Sequence, residues 1–240
     1  MAIETPTSRE IPLDAEISAL LFIDVQNFCV RRDGGEFRDV PDDEIRGKYG
    51  YYFDRLTAVI PNMQMLQRAF RAARIEILYT TIESLTKDGR DRSLDYKITG
   101  FLVPRGSWDG KVIDDIAPAE DEIVLPKGSS SVFVSTNIDY LLRNLGVRQL
   151  VICGLVTDQC VESAVRDACD LGYLVTLVTD ACATYSAERH DDSLRAIKGY
   201  CRQTTTEALI AEVAPFAKLG NGDGSLQDSA SHIGAALKEK

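Results

Sequence analysis

The sequence predicts an α/β domain of three layers (α/β/α), built on a mostly parallel, six-stranded sheet. Two observations predict this fold. Short apolar blocks rich in β-branched residues recur along the chain, as in strands that are buried on both faces. Segments with the apolar spacing of helices separate these blocks. Strands that alternate with helices form parallel sheets with helices on both faces.

The predicted elements follow one another in this order along the chain. Strands are expected at residues 18–25, 75–81, 121–126, 149–154, 174–180 and 201–207. Helices are expected at about 54–73, 135–146, about 158–171 and 186–200. Gly146 and Gly172 stand where two of these helices should end, because glycine readily adopts the left-handed conformation that closes a helix.

We expect a single domain over residues 1–240, with a core at about 17–214, an N-terminal arm at 1–16 and a C-terminal tail at 215–240. The segment from Glu83 to Val112 interrupts the alternation, since it is long, charged and contains the only tryptophan. Loops of this length in a compact domain usually form lids or subunit contacts.

Composition argues against two classes of partner. The net charge of -10 would repel nucleic acid and anionic membranes. No apolar run reaches the roughly 18 residues of a membrane span, and the N-terminus lacks the pattern of a signal peptide. The six cysteines form no Cys-x-x-Cys pair, so we expect free thiols in the reducing cytoplasm, mostly packed as small apolar side chains.

Three chemically useful residues stand at three predicted strand ends. The first strand ends at Asp24, the third at Lys127, and the fourth runs into a turn that leads to Cys160. Ligands of open α/β sheets bind beyond the carboxyl ends of the strands, so we expect these side chains to share one site. Each has a simpler alternative: Asp24 as a helix cap, Lys127 as a solvated lysine and Cys160 as a packed apolar side chain.

Cys160 falls in the first turn of a predicted amphipathic helix. The apolar face of this helix comprises Val161, Ala164, Val165 and Ala168. Thr157 or Asp158 is expected to cap it. Free N–H groups and the dipole at a helix start favour an anion, and a nearby Lys127 would lower the thiol pKa further. Asp24 is placed to accept the thiol proton.

Two segments carry a resemblance to a known family: "ALLFIDVQNFC" and "IVLPKGSSSVFVSTNIDYLLRNLGVRQLVICGLVTDQCVESAVRDACDLGYLVTLVTDACAT". Together with Asp24, Lys127 and Cys160, they resemble the isochorismatase-like cysteine hydrolases over about residues 17–214. The resemblance implies an isochorismatase-type α/β/α fold and hydrolysis of small amides through a thioester. It also implies no cofactor, and assembly as a homodimer or homotetramer.

The resemblance also implies a role for each site residue. Cys160 would be the nucleophile, Asp24 the general base, and Lys127 the group that orients Asp24 and stabilises the thiolate. A non-proline cis peptide is implied at Leu155–Val156, where the family often has alanine in place of valine. The Val156 N–H would then form an oxyanion hole with the N–H of Cys160.

Three branches of the family can be compared with the sequence. Isochorismatase itself cleaves a vinyl ether and lacks the nucleophilic cysteine, so Cys160 argues against that branch. Nicotinamidases bind a metal through aspartate and histidine after the second strand, where this chain reads "TTIESLTKDGRD" without histidine. We therefore expect no metal. The remaining branches act on ureido or carbamoyl amides: ureidoacrylate amidohydrolase, biuret and triuret hydrolases, and N-carbamoylsarcosine amidase.

Four residues are expected to bind this small amide substrate: Glu83, Phe133, Gln203 and Tyr185. Gln203 matches in spacing a substrate-binding glutamine of biuret hydrolase, and Glu83 at the end of the second strand would bind carbamoyl N–H groups. The alternatives are a polar residue at a strand end, a surface salt bridge and, for the two aromatic rings, packing. Arg105 and Trp108 would lie on the lid or at a subunit contact.

Two other functions stay open at this point. One is a nicotinamidase-like amidase, and the other is a non-catalytic small-molecule binder or redox sensor that uses Cys160 as a reactive thiol. A sensor thiol usually has a resolving cysteine beside it. Cys153 is poorly suited to that role because it lies inside a predicted buried strand.

Overall fold

Six parallel strands form one sheet in the computed structural model, which describes residues 8–219. The strands are β1 (Ser18–Ile23), β2 (Glu76–Ile82), β3 (Ile123–Lys127), β4 (Gln149–Leu155), β5 (Leu174–Ala183) and β6 (Arg202–Thr204). Their order in the sheet is β3-β2-β1-β4-β5-β6, and every neighbouring pair is parallel. The predicted α/β/α fold class and the six strands are confirmed.

The central strands explain the apolar runs of the sequence. Every residue of β1 and β4 is buried, because neighbouring strands cover their edges and helices cover both faces. The predicted strand bounds differ from the observed ones by at most about three residues, which is the usual uncertainty of element ends. β6 is much shorter than predicted, because the chain already enters a helix at Thr206.

Nine helices accompany the sheet in the described residues. They are α1 (Asn27–Val30), α2 (Asp42–Lys48), α3 (Gly50–Ala72), α4 (Leu94–Ile98), α5 (Val132–Ser135), α6 (Ile138–Asn144), α7 (Glu162–Asp170), α8 (Ala187–Ile197) and α9 (Thr206–Leu219). The single helix predicted at 135–146 is in fact the pair α5 and α6. None of these helices has the length and apolarity that a membrane span requires.

The helices pack in two groups. α3 and α9 pack against each other and against β5, while α7 packs against β4, β5, α5 and α8. The buried apolar side chains of α3 recur every three or four residues, at Tyr52, Leu56, Val59, Met63, Leu66 and Phe70. This spacing places them on one face of the helix, and that face covers the sheet.

The structure describes part of each chain end. The tail was expected from residue 215, but α9 continues to Leu219, and residues 220–240 lie outside the described part. In the predicted N-terminal arm, Leu13 is buried and its N–H donates to the carboxylate of Glu212 in α9. Residues 1–7 also lie outside the described part.

Gly154 lets β4 approach β1 closely. Its φ is +134°, and a Cβ atom at this position would lie 2.2 Å from the carbonyl oxygen of Ile23. Glycine alone fits such a backbone position without strain. The close approach is found where the sheet order reverses, directly before the turn that carries Cys160.

Candidate active site

The three residues predicted at strand ends meet at the carboxyl edge of the sheet. Asp24 directly follows β1, Lys127 is the last residue of β3, and Cys160 lies in the turn after β4. The Lys127 Nζ atom lies 2.7 Å from Asp24 Oδ2 and 3.4 Å from Cys160 Sγ. The site therefore lies beside the β1–β4 boundary, where strand order reverses and where open α/β sheets bind ligands.

Asp24 is held by β2 rather than by a helix. Its N–H donates to the carbonyl oxygen of Thr80 (3.1 Å), and its Oδ1 accepts from the Thr80 hydroxyl (2.7 Å). Its φ is +54°, a left-handed conformation that aspartate tolerates better than most residues. Gln26, not Asp24, is the N-cap of α1. The alternative of a capping aspartate is therefore not what the structure shows.

Lys127 is a fully buried cation. Its ammonium donates to the carbonyl oxygen of Ser129 (2.8 Å) and to the Tyr96 hydroxyl (3.3 Å), in addition to its pair with Asp24. Burial alone would lower its pKa, but the charge of Asp24, followed by that of Cys160, raises the pKa above its usual value. The side chain thus stays charged and is not a solvated loop lysine.

Cys160 lies in a single π-helical turn, Thr157–Val161, that leads directly into α7. The Val161 N–H donates to the carbonyl oxygen of Val156, five residues earlier. Such turns are rare and occur often at functional sites. The predicted helix was correct in place, but the wider first turn was not predicted.

The predicted side-chain cap of this helix is wrong. The Thr157 hydroxyl is hydrogen-bonded to His190 Nδ1 (2.9 Å). Asp158 accepts from the Thr184 hydroxyl (2.5 Å) and from Arg189 Nε (2.6 Å). Both side chains therefore fasten the turn to α8 and to the end of β5 instead of satisfying the N–H groups of their own helix.

The predicted low pKa of Cys160 is also wrong. The side chain is only 5% exposed, and burial raises the pKa of the thiol to about 12. Lys127 lowers it, but Asp24 opposes Lys127 through its charge and by accepting a hydrogen bond from the thiol. The loss of hydration therefore outweighs the effects of the ammonium and the helix start. Burial thus favours the neutral thiol form of Cys160.

A cavity of about 630 Å³ opens onto this sulfur. Its wall includes Leu155 and Val156, and the peptide bond that joins them is cis. The segment between Glu83 and Val112 contributes Tyr96 and Phe101 to the same wall, and the Tyr96 hydroxyl lies 3.9 Å from Cys160 Sγ. This segment thus covers the site, as expected of a lid.

Comparison with known proteins agrees with this geometry. The model of the isochorismatase domain family matches residues 18–208, a range that contains Asp24, Lys127 and Cys160. The chain belongs to the isochorismatase family. The predicted family of hydrolases is thereby confirmed.

Members of the family with solved or curated descriptions match most of the chain. The ureidoacrylate amidohydrolase RutB of Rhizobium rhizogenes is 27% identical over 232 residues, which cover 85% of this chain and 88% of that protein. A cysteine hydrolase structure from Pseudomonas syringae pv. phaseolicola has a TM-score of 0.74 at 24% identity and covers 89% of this chain and 100% of its own. N-carbamoylsarcosine amidase from Thermoplasma acidophilum has a TM-score of 0.62 at 24% identity and covers 80% and 97%.

Of the residues expected to bind substrate in this isochorismatase-family chain, Tyr185 lines the cavity. Glu83 does not, because its carboxylate turns away and accepts from the Gly106 N–H (2.8 Å). Gln203 does not line the cavity either. It lies on β6, the outermost strand, and its amide donates to the carbonyl oxygen of Leu194 in α8 (2.7 Å).

Phe133 also lies outside the cavity wall. Its ring packs against Tyr173, with 6.1 Å between the ring centroids, in accord with the packing alternative. Arg105 and Trp108 are exposed residues of the 83–112 segment and do not line the cavity.

Reasoning from strand ends missed several cavity residues, among them Cys29, Glu36 and Tyr96. Tyr96 had a local signal, because Ser93 caps the short helix α4 and accepts from the Tyr96 N–H. Cys29 and Glu36 had none, since they belong to α1 and to the loop after it. Within residues 8–219, no cluster of three or more His, Cys, Asp or Glu side chains is arranged to hold a metal ion.

Proposed function

We propose that the chain is a cofactor-independent amidohydrolase that cleaves small ureido or carbamoyl amides through a thioester on Cys160. One observation carries the proposal: the Lys127 ammonium contacts both the Asp24 carboxylate (2.7 Å) and the Cys160 sulfur (3.4 Å) at a cavity. A nucleophile, a base and a cation that offsets the charge of either are the groups that covalent amide hydrolysis requires.

The first half of the reaction forms the thioester. Asp24 accepts the proton of Cys160 as the sulfur attacks the carbonyl carbon, and the π electron pair moves onto the carbonyl oxygen. The N–H groups of Val156 and Cys160 hold this oxyanion, and the loss of one such donor typically raises the barrier by roughly 3–4 kcal/mol. The C–N bond then breaks, and the proton on Asp24 passes to the departing nitrogen, which leaves as ammonia or an amine.

The second half regenerates the thiol. Asp24 accepts a proton from water, and the resulting hydroxide attacks the carbonyl carbon of the thioester. The C–S bond breaks, and the proton on Asp24 returns to the sulfur. The sum is an amide and water converted to an acid and an amine, so neither an oxidant nor a second substrate is needed.

The names of two relatives support the carbamoyl class. One is a ureidoacrylate amidohydrolase and the other is an N-carbamoylsarcosine amidase, and both names describe a carbamoyl group attached to nitrogen. The second candidate, a nicotinamidase-like enzyme, is disfavoured because residues 8–219 contain no cluster of potential metal ligands.

A substrate panel tests the proposal. The purified protein is incubated with ureidoacrylate analogues, biuret, triuret, N-carbamoylsarcosine and nicotinamide, and released ammonia is measured. Cys160→Ser should abolish turnover, whereas Cys29→Ser, which changes the other thiol of the cavity wall, should retain it. Unchanged activity in Cys160→Ser would sink the nucleophile assignment.

A chelator arm separates the two candidate enzymes. We expect ammonia release to persist after treatment with a chelator. Nicotinamide hydrolysis that is lost with the chelator and restored by zinc or iron would favour the nicotinamidase-like function instead. No turnover of any amide, combined with rapid and reversible oxidation of Cys160 by peroxide, would favour the redox sensor.

A further inference from the structure

The cavity wall carries a second carboxyl group that the proposed reaction does not use. Glu36 lies in the loop between α1 and α2, lines the cavity together with Cys160, and accepts a hydrogen bond from the Tyr185 hydroxyl. We propose that Glu36, held by Tyr185, binds the non-reacting end of the substrate and selects an end with paired N–H donors, such as the terminal amide of biuret. This inference rests on the proposed function, because it names the substrate class of the same site.

Glu36 and the catalytic groups belong to one electrostatic environment. Burial raises the pKa of the Cys29 thiol, and the charges of Glu36 and Asp24 raise it further. A single small side chain is thus influenced by both carboxyl groups. Glu36, Cys29 and Cys160 line one cavity, so the inference places the carbonyl carbon of the substrate at Cys160 and its other end at Glu36.

Among residues 8–219, Glu36 has no cationic partner. No lysine, arginine or histidine nitrogen of residues 8–219 lies within 4 Å of its carboxyl oxygens, and Tyr185 is its only side-chain partner there. The two cationic side chains that line the cavity in the described part of the chain are paired with other carboxylates: Lys48 with Glu44 (3.2 Å) and Arg189 with Asp158 (2.5 Å). The carboxyl group therefore has unused hydrogen-bonding capacity toward the cavity.

The surroundings of Glu36 disfavour an ionised carboxylate that lacks hydrogen-bond donors. The Tyr185 ring packs against the rings of Tyr49 and Tyr52, at 5.9 and 5.1 Å between centroids. Burial raises the pKa of Glu36 to about 7, although Tyr185 acts in the opposite direction. A ligand that donates N–H groups would restore what the carboxylate loses in hydration, because hydrogen bonds to an ionised group are the stronger ones.

The same group should reject ligands that end in a carboxylate. Two like charges that meet at one cavity wall repel, and such repulsion is a recognised source of specificity. Biuret and N-carbamoylglycine are of similar size and share a carbamoyl group, but biuret ends in an amide and N-carbamoylglycine in a carboxylate. Glu36 should therefore favour biuret.

Binding without turnover gives the direct test. Cys160→Ala protein is titrated calorimetrically with biuret and with N-carbamoylglycine, with and without Glu36→Gln. We expect biuret to bind more tightly, and Glu36→Gln to reduce this preference about tenfold or more, as removal of a charged hydrogen-bond partner typically does. Asp39→Asn, which changes an exposed carboxylate of the same loop that does not line the cavity, is the matched control and should leave the preference unchanged.

Three results would overturn the inference: no biuret binding, a preference for N-carbamoylglycine, or an unchanged preference in Glu36→Gln. Tyr185→Phe gives a second route if Glu36→Gln does not fold, because it removes the hydroxyl that holds the carboxyl group. It should reduce the preference by a smaller factor, and an unchanged preference in this variant would likewise count against the inference.

Turnover of the same pair of compounds separates this inference from the proposed function. One outcome is that the protein that retains Cys160 hydrolyses both compounds with a ratio of the two kcat/KM values that Glu36→Gln does not alter. That result would support the proposed reaction and contradict the role of Glu36. If biuret binding depends on Glu36 but no carbamoyl amide is hydrolysed, the role of Glu36 is supported and the proposed reaction is contradicted.

Discussion

The ammonium of Lys127 lies 3.4 Å from the sulfur of Cys160, and both side chains are buried. The same ammonium is paired with Asp24. Loss of the thiol proton to water would leave this group with one extra negative charge, and burial, which disfavours such a charge, raises the pKa of the thiol to about 12. Transfer of the proton to Asp24 instead keeps the total charge of the three side chains constant. The site thus favours proton transfer within the group over a permanently ionised thiol.

Asp24→Asn should have opposite effects on alkylation and on catalysis. Because Asp24 raises the pKa of Cys160, its removal should lower that pKa and raise the thiolate fraction about tenfold for each pKa unit. Alkylation of Cys160 by iodoacetamide at mildly alkaline pH should therefore become faster, while amide hydrolysis is lost with the base. Peptide mapping after timed alkylation measures the first effect, and ammonia release measures the second.

Asp95→Asn is the matched control for this experiment. Asp95 also lines the cavity but is an exposed residue of α4. The rate at which Cys160 is alkylated in Asp95→Asn should therefore stay near the rate in the unaltered protein. Slower alkylation of Cys160 in Asp24→Asn would contradict the electrostatic description of the site.

Lys127→Met should destabilise the fold more than the same substitution of an exposed lysine would. The substitution leaves the Asp24 carboxylate, which is 1% exposed, without its cation, and breaking a buried pair in this way typically costs about 3–5 kcal/mol. The double variant Asp24→Asn/Lys127→Met should recover much of this loss, because it removes both charges. Denaturant unfolding of the two single variants and the double variant tests the coupling, and strictly additive changes would argue against it.

Gly154→Ala should be strongly destabilising. The added Cβ would lie 2.2 Å from the Ile23 carbonyl oxygen and 2.6 Å from the Ile23 nitrogen, both backbone atoms of the central strand. We expect a loss of at least about 2 kcal/mol in the free energy of unfolding, from strain at a positive φ and displacement of β1. Gly47→Ala is the control, because nothing lies within 4 Å of its added atom. Equal stability of the two variants would contradict the close approach of β1 and β4.

The stability effect of Glu36→Gln should depend on pH. Burial raises the folded-state pKa of Glu36 to about 7, so the folded state holds the proton more tightly than the unfolded state does. The stability penalty is therefore absent at about pH 4, grows as pH rises, and is complete above about pH 7. The variant, which cannot ionise, should gain thermal stability relative to the parent at alkaline pH and much less at acidic pH. A difference in Tm that is constant across this range would show that Glu36 is not desolvated.

The parallel sheet and the meeting of Asp24, Lys127 and Cys160 were predictable because the positions and ends of the strands follow from local apolar patterns. β1 and β4 are buried on both faces, so all their residues after the first are apolar or glycine. Parallel strands then bring those ends to one edge without further information. The cysteine pKa was mispredicted because burial depends on which segment covers the sulfur, and the covering residue Tyr96 is distant in sequence.

Tertiary contacts account for the other differences between sequence and structure. Thr157 has the residue type of a helix cap, but His190 of α8 lies within hydrogen-bonding distance of it and competes for the hydroxyl. Gln203 stands on a strand, but its amide reaches a backbone carbonyl in α8 rather than the cavity. Glu36 has no periodic pattern around it, and only the fold shows that its loop lies beside Tyr185.

The most direct test of the central claim is to trap the acyl group on the sulfur. The protein is mixed with a substrate that it hydrolyses, quenched in acid within a few turnovers, digested and mapped by mass spectrometry. We predict an acyl adduct on the peptide that contains Cys160, absent in Cys160→Ala and absent from Cys29, the other cysteine on the cavity wall in the described structure. Sustained hydrolysis by Cys160→Ala, or an adduct found only on Cys29, would contradict the assignment of Cys160 as the nucleophile.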